Sequence, residues 1–135
     1  MDFKELDKSL SDILVLRTKL TKLSYSDEAY DEVEDELHDL EDELVDEYGD
    51  ALEEIVGDIL VELKSDSDVL LPTAYLPQLF EGGGKRPELG DDPGVTIDIE
   101  DYLDQGVDIR LVLIPQPARF VLVVNYEIVK EMWKA

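Results

Sequence analysis

Apolar side chains recur at steps of three and four residues through the first 63 positions, and this periodicity constrains the fold more than any other feature. In an α-helix such spacing places the side chains on one face, which has to be buried against another element. One stripe predicts a helix over residues 3–23 and comprises Phe3, Leu6, Leu10, Ile13, Leu16, Leu20 and Leu23. A second helix, capped by Ser26, carries the stripe of Tyr30, Val33, Leu37, Leu40, Leu44 and Tyr48. The two stripes together predict an antiparallel helical hairpin.

The second helix has two interpretations at Gly49. Apolar spacing continues beyond this glycine as far as Leu63, which is compatible with one long helix. Gly49 can also end a helix, and Asp50 with Glu53 has the spacing of a capping box that begins a new one. Because the first helix can cover only a partner of its own length, we favour a bend or break at Gly49, with residues 51–64 packed on a sheet.

The last third of the chain has the patterns of β-strands. Residues 95–99 alternate between apolar and polar, which is typical of a half-buried strand. Residues 107–114 and 118–125 are apolar runs separated by two prolines, which cannot donate to a strand ladder, and they predict a hairpin. With Ile114 opposite Ala118, both faces of this hairpin are apolar. Its strands are therefore central and covered on both sides, or one face is the interface of a homodimer.

The segments before and after the hairpin complete the prediction. Tyr126, Val129 and Trp133 have helical spacing with Asn125 as a cap, which predicts a short terminal helix; a strand continuing through Val129 is the alternative. We predict one α+β domain over residues 1–135, with a helical part (1–64), an irregular Gly/Pro-rich part (65–93) and a β-rich part (94–135). The helical hairpin packs on a small, mainly antiparallel sheet that ends in the β-hairpin and the short terminal helix.

The chain has no catalytic or cofactor motif. Cysteine is absent, which excludes disulfides and thiolate chemistry. Neither a signal peptide nor an apolar run of about 18 residues is present, so we expect a cytoplasmic protein. The sequence Gly82-Gly83-Gly84-Lys85 does not have the spacing of a phosphate-binding loop. Asp35 and His38 have the i, i+3 spacing of dimetal sites, but a solvated histidine is the simpler interpretation. We predict no cofactor and no metal, and we favour a non-enzyme.

Charge is distributed unevenly. The chain has 35 acidic and 12 basic residues, a net charge of −23, and residues 27–58 hold 17 acidic residues and no Lys or Arg. Such a field disfavours direct binding of nucleic acid and of anionic membranes. It favours docking of a basic protein or an imitation of nucleic-acid phosphates, whereas a solvated face that keeps the protein soluble and weak binding of divalent cations are the alternatives. The predicted partner-binding residues are Glu34, Asp35, Asp39, Asp42, Glu43, Asp46, Glu47 and Glu54.

A second hypothesis is a small ligand-binding module or enzyme. Its site would lie between the loop of residues 82–93 and the acidic residues 98–104, with arginines from the hairpin strands holding an anion. The residues proposed for this site are Lys85, Arg86, Asp98, Glu100, Arg110 and Arg119. Structural ion pairs are the alternative role for these arginines. A third hypothesis is a structural homodimer formed through residues 107–125.

Overall fold

The computed structural model describes residues 3–82, 87–99 and 106–135. Two α-helices and a short 3-10 helix precede a four-stranded antiparallel sheet with the strand order β1-β2-β3-β4. This arrangement confirms the α+β fold with an N-terminal helical hairpin and a C-terminal β-hairpin. The elements are α1 (Phe3–Thr21), α2 (Glu28–Glu62), the 3-10 helix (Pro72–Tyr75), β1 (Val95–Thr96), β2 (Ile109–Ile114), β3 (Arg119–Val124) and β4 (Glu127–Lys134).

The helical hairpin forms because both helices bury the apolar stripes that the spacing predicts. The buried apolar residues of α1 are Leu6, Leu10, Ile13 and Leu14, and those of α2 include Val33, Leu37, Leu44, Tyr48, Leu52, Val56, Ile59 and Leu60. Three members of the predicted stripes, Leu16, Leu20 and Leu40, are half-buried against this core. At the turn between the helices the rings of Tyr25 and Tyr30 pack with centroids 4.6 Å apart. The N-cap position of α2 is occupied by Asp27 rather than by the predicted Ser26, and its side chain makes no capping hydrogen bond.

The predicted break at Gly49 is wrong, because α2 is helical without interruption from Glu28 to Glu62. Beyond Tyr48 the apolar stripe finds new cover, since Leu52 and Val56 are fully buried in the core that also contains the sheet and the 3-10 helix. A glycine within a helix costs about 1 kcal/mol relative to alanine. Burying several large side chains outweighs that cost, so tertiary packing carries the helix through Gly49.

The β-hairpin forms where predicted, and its strands end at the two prolines, but its register differs by one residue. Ile114 pairs with Arg119 rather than with Ala118. A shift of one residue changes which side chains of one strand share a face with those of the other. One face, with Leu111, Leu113 and Phe120, joins the core formed with both helices. The other face forms a second apolar cluster of Val112, Ile114, Val121 and Val123 with Leu89.

Both faces of the hairpin are therefore covered by the chain itself. Phe80 and Ile128 pack against the second cluster, and its four strand residues are at most 1% exposed. The doubly apolar pattern thus has an intramolecular explanation. The homodimer remains a prediction. It is no longer required to bury an apolar face of the hairpin, which was the reason for proposing it.

The predicted terminal helix is wrong, and the strand alternative is correct. Asn125 and Tyr126 both have positive φ, 48° and 70°, as in the two-residue type I′ turn that joins hairpin strands, and β4 follows at Glu127. Two register irregularities lie between β3 and β4, so that eight residues of β4 lie beside six of β3. Each bulge interrupts the alternation of a strand. This interruption explains why the β4 sequence resembled a helix.

Gly94 allows β1 to approach β2 closely. Its φ is +63°, and a Cβ atom there would lie 2.3 Å from the carbonyl oxygen of Leu111. Only glycine, which has no Cβ atom, fits so close a contact between two backbones. The glycine therefore positions the loop of residues 87–94 against the outer face of the hairpin.

Candidate docking surface

The eight predicted partner-binding residues lie together on α2, and we call them the acidic face. All are exposed except Glu34, which is half-buried. Their side chains project outward because α2 directs its apolar stripe towards α1 and the sheet. Within residues 3–82, 87–99 and 106–135, none of the eight makes an ion pair with a Lys or Arg. The charge of the acidic face is therefore not neutralised by the described part of the chain.

Glu41 is a carboxylate of α2 that has a basic partner within the described residues. Arg17 of α1 donates from Nε to Glu41 Oε1 at 3.0 Å, and the arginine is only 8% exposed. The same guanidinium donates to the carbonyl oxygens of Leu76 at 3.0 Å, Pro77 at 3.4 Å and Thr73 at 3.3 Å. Arg17 therefore joins α1, α2 and the 3-10 helix at one point.

Sequence analysis missed this role of Arg17, although a signal was present. Arg17 lies four residues after Ile13 and three after Leu14, so it occupies a position of the apolar stripe of α1. A charged residue at such a position has to find hydrogen-bond partners when the stripe is buried. Carbonyl oxygens in and after the 3-10 helix accept the hydrogen bonds of the guanidinium, and only the tertiary structure shows which ones.

Three consecutive apolar residues that lead into the 3-10 helix are exposed, and we call them the apolar segment. Val69, Leu70 and Leu71 are 43%, 42% and 55% exposed. The Leu70 N–H donates to the buried Tyr75 hydroxyl at 3.1 Å. The Leu71 carbonyl oxygen accepts a hydrogen bond from the Ala74 N–H at 2.9 Å. The segment is therefore held in place although its side chains remain accessible.

Tyr75 anchors this arrangement from the core. The tyrosine is fully buried, and its ring meets that of Phe120 edge-on with centroids 5.9 Å apart. Burial raises the pKa of the Tyr75 hydroxyl, because the charged phenolate is disfavoured away from water. The hydroxyl consequently stays protonated at neutral pH, where its oxygen accepts the Leu70 N–H.

Two concave pockets flank the apolar segment and share Leu71 and Thr73 in their linings. One, of about 380 Å³, lies against α2 and is lined also by Glu41, Asp42, Val45 and Asp46. The other, of about 580 Å³, is lined also by Arg17, Leu70, Ala74, Leu76, Gln78, Asp92 and Gly94. The acidic face and the apolar segment therefore meet at Leu71 and form one continuous surface.

A separate cavity of about 680 Å³ lies beside the loop of residues 87–93, close to the position predicted for a ligand site. It is lined by that loop and by Val123, Tyr126, Glu127 and Ile128. Among the described residues of the lining, the charged side chains are acidic, namely Glu88, Asp91, Asp92 and Glu127. These carboxylates suit a cationic ligand.

The two arginines of the second hypothesis do not converge. Arg110 donates to both carboxylate oxygens of Asp108, at 2.9 and 3.1 Å, and to Asp92 at 3.3 Å. Hydrogen bonding to Asp108 raises the pKa of Arg110. Arg119 Nη1 lies 3.6 Å from Glu131 Oε2. In the strand register Arg119 is opposite Ile114, which is four residues along β2 from Arg110. Four residues of an extended strand span about 13 Å.

Of the other four residues of that hypothesis, the structure describes Asp98. Asp98 is exposed, and its backbone N–H donates to Ser67 Oγ at 2.9 Å. Lys85, Arg86 and Glu100 lie outside the described residues, as do Gly83, Gly84 and residues 101–105. Among the residues that the structure describes, Arg110 and Arg119 therefore lie apart, and the anion site as a whole stays a prediction.

His38 is exposed on α2, as the simpler interpretation predicts. Among the described residues no group of three or more histidines and carboxylates is arranged to hold a metal ion. No helix in the described ranges combines the length and apolarity that a membrane crossing requires. Comparison of the chain with protein-family models, with curated proteins and with solved structures found no match.

Proposed function

We propose that this protein is a non-catalytic interaction protein, and that its acidic face docks a basic protein partner. The observation that carries the proposal is the absence of a basic partner for any of its eight carboxylates within the described residues. Charges of one sign on a surface attract an oppositely charged partner over about one Debye length, roughly 8 Å at physiological ionic strength. The acidic face therefore acts mainly by accelerating encounter.

The cost of the charge supports a functional role. Exposed carboxylates four residues apart, such as Asp39 and Glu43 or Asp42 and Asp46, repel each other on one helical face. Each such pair destabilises a helix by a few tenths of a kcal/mol. α2 is 35 residues long, or roughly 52 Å, so this repulsion extends along much of one side of the molecule. A partner with basic residues relieves the repulsion.

Oligolysine is a suitable probe for the proposal, because it has positive charge and no other recognition feature. We expect binding at low salt that weakens steeply as salt is added. A variant with Asp35→Asn, Asp39→Asn, Asp42→Asn and Asp46→Asn should bind roughly tenfold more weakly at low salt, which corresponds to about 1.4 kcal/mol. Titration calorimetry at several salt concentrations measures both effects.

The control variant removes four exposed carboxylates outside α2 and therefore has the same net charge. Its substitutions are Asp12→Asn, Asp66→Asn, Asp68→Asn and Asp98→Asn, none of which lines the cavity beside residues 87–93. We expect it to bind oligolysine nearly as well as the unmodified protein. Equal losses in the two variants would mean that net charge alone attracts the probe, which favours the solubilising interpretation.

The cavity beside residues 87–93 supports a second candidate, a module that binds a small cationic ligand. Four carboxylates line it together with the exposed side chain of Tyr126, and a ring together with carboxylates suits an organic cation. Spermidine is a simple probe for this cavity. Glu88→Gln with Glu127→Gln should weaken its binding, whereas the α2 variant should not; the reverse result would assign the cation to the acidic face.

A further inference from the structure

We propose that the apolar segment extends the acidic face into one amphipathic docking surface, whose partner is a basic segment with large apolar side chains. This inference rests on the proposed function and names the chemistry of its partner. Apolar side chains of the partner would lie on Leu70 and Leu71, while its Lys or Arg side chains would reach Asp42 and Asp46. The contact between the two halves is the pocket that Leu71, Thr73, Val45 and the two aspartates line.

The first argument is that the exposure of the apolar segment is a built feature. Single exposed apolar residues are common on protein surfaces and need no explanation. Here three in a row are exposed, and the backbone of Leu70 and Leu71 is held by hydrogen bonds with Tyr75 and Ala74. Arg17 also holds the carbonyl oxygen of Thr73, two residues beyond Leu71. An ordered apolar surface loses little conformational entropy when a partner binds it.

The second argument is charge complementarity around the apolar segment. Asp42 and Asp46 line the pocket on its α2 side, and Asp92, which also accepts a hydrogen bond from Arg110, lines the pocket on its other side. Among the described residues of these linings the one basic residue is Arg17, whose guanidinium is engaged by Glu41 and by three carbonyl oxygens. A ligand that covers Leu70 and Leu71 therefore meets negative potential, which selects a basic one.

Charge also decides against the other occupants of an apolar surface. A second copy of this chain brings its own net charge of −23, and association through this surface would place two acidic faces close together. Membranes with anionic lipids are repelled for the same reason. A basic segment with apolar side chains, for example an amphipathic helix with anchors at i, i+3 and i+7, satisfies both halves of the surface.

The experiment uses two synthetic peptides of equal length and equal lysine content. One has leucines at helical spacing between its lysines, and the other has serine in place of each leucine. We expect the intact protein to bind the leucine peptide roughly tenfold more tightly, because burial of apolar area adds to the same electrostatic attraction. This comparison requires no variant, so it does not depend on how a substitution affects folding.

Variants then locate the apolar contact. Leu70→Ser with Leu71→Ser should abolish the preference for the leucine peptide and leave binding of the serine peptide unchanged. Val15→Ser with Val129→Ser is the matched control, since these residues are 65% and 56% exposed and line neither of the two pockets. Thermal unfolding of both variants checks that they are folded. The control should keep the preference in full.

The results separate this inference from the proposed function. If both peptides bind equally and salt weakens both, the acidic face docks basic chains but the apolar segment plays no part. If the leucine preference persists in the Leu70/Leu71 variant, the apolar contact lies elsewhere and the inference is overturned. If neither peptide binds at low salt, the proposed function fails, and the inference fails with it.

Discussion

The β2–β3 hairpin and helix α2 meet solvent in opposite ways. Adjacent hairpin residues such as Leu113 and Ile114 point to opposite faces of the sheet, and both are fully buried. α2 buries one stripe and exposes carboxylates along the other side. The hairpin is therefore explained by packing alone. The outward side of α2 is not, because its like charges oppose folding. The difference separates the residues that stabilise the fold from those that are available to a partner.

The largest expected effect tests whether both faces of the hairpin are packed within one chain. Leu113→Ala and Ile114→Ala should each lower the free energy of unfolding by about 2–5 kcal/mol, because each leaves a cavity in a different cluster. Urea denaturation measures the loss. Val129→Ala on the exposed part of β4 is the control and should change stability by less than about 0.5 kcal/mol.

A small effect of Ile114→Ala would contradict the packing of the outer face. Repeating the denaturation at several protein concentrations tests the homodimer at the same time. Stability that rises with concentration would show that association contributes to the fold.

Arg17 connects the acidic helix to the rest of the molecule, and its removal should have the next largest effect. Arg17→Ala leaves Glu41 and three carbonyl oxygens without their donor, so we expect a loss of about 3 kcal/mol. Thermal or urea unfolding measures it. Lys22→Ala, which removes an exposed ion pair with Glu81 from the same end of α1, should cost less than about 1 kcal/mol. Equal losses would mean that Arg17 contributes no more than a surface charge.

Gly49→Ala tests the continuity of α2 and should have a smaller effect of opposite sign. Alanine is favoured over glycine by about 1 kcal/mol in a helix, and the nearest atom to its Cβ, Val45 Cγ1, lies at an ordinary 3.5 Å. The melting temperature should therefore rise. Gly94→Ala, where φ is positive and the Leu111 carbonyl oxygen leaves no space, should lower it. A lower melting temperature of the Gly49→Ala variant would instead favour a break in α2 at this residue.

The smallest expected effect measures the cost of the acidic face. Asp39→Asn with Glu43→Gln removes one repulsive pair, and we expect stability to rise by a few tenths of a kcal/mol. The gain should shrink as salt is added, because exposed charges are screened. Asp12→Asn on α1 is the control and should show no comparable gain. A loss of stability in the double variant would show that the two residues stabilise the native fold.

Local patterns predicted much of this molecule because local physics decides them. Spacing of apolar residues predicted the helical hairpin, and the two prolines predicted where the hairpin strands end. The terminal strand was mistaken for a helix because two bulges interrupt its alternation. The register of the hairpin differed by one residue because its turn extends over residues 115–118. When both faces of a strand are apolar, the sequence pattern does not indicate which residues face the helices, and so it does not set the register.

The candidate surface also has one part that local patterns predict and one part that only tertiary contacts decide. The positions and the exposure of the acidic residues follow from the stripe of α2, because a helix that buries one side exposes the other. The apolar segment beside them lies in the part of the chain predicted to be irregular, since Val69-Leu70-Leu71 before a proline has no distinctive pattern. Its place next to Asp42 and Asp46 depends on the bonds of Arg17 and Tyr75 to residues distant in sequence.

The amino-acid sequence by itself determined the fold class, the sites of the helices and the concentration of negative charge on one helix, because periodicity and charge are properties of neighbouring residues. Only the tertiary structure decided that α2 continues through Gly49, that the last segment is a strand and that an apolar segment adjoins the acidic face. These outcomes depend on contacts between residues distant along the chain, whose packing outweighs local preferences.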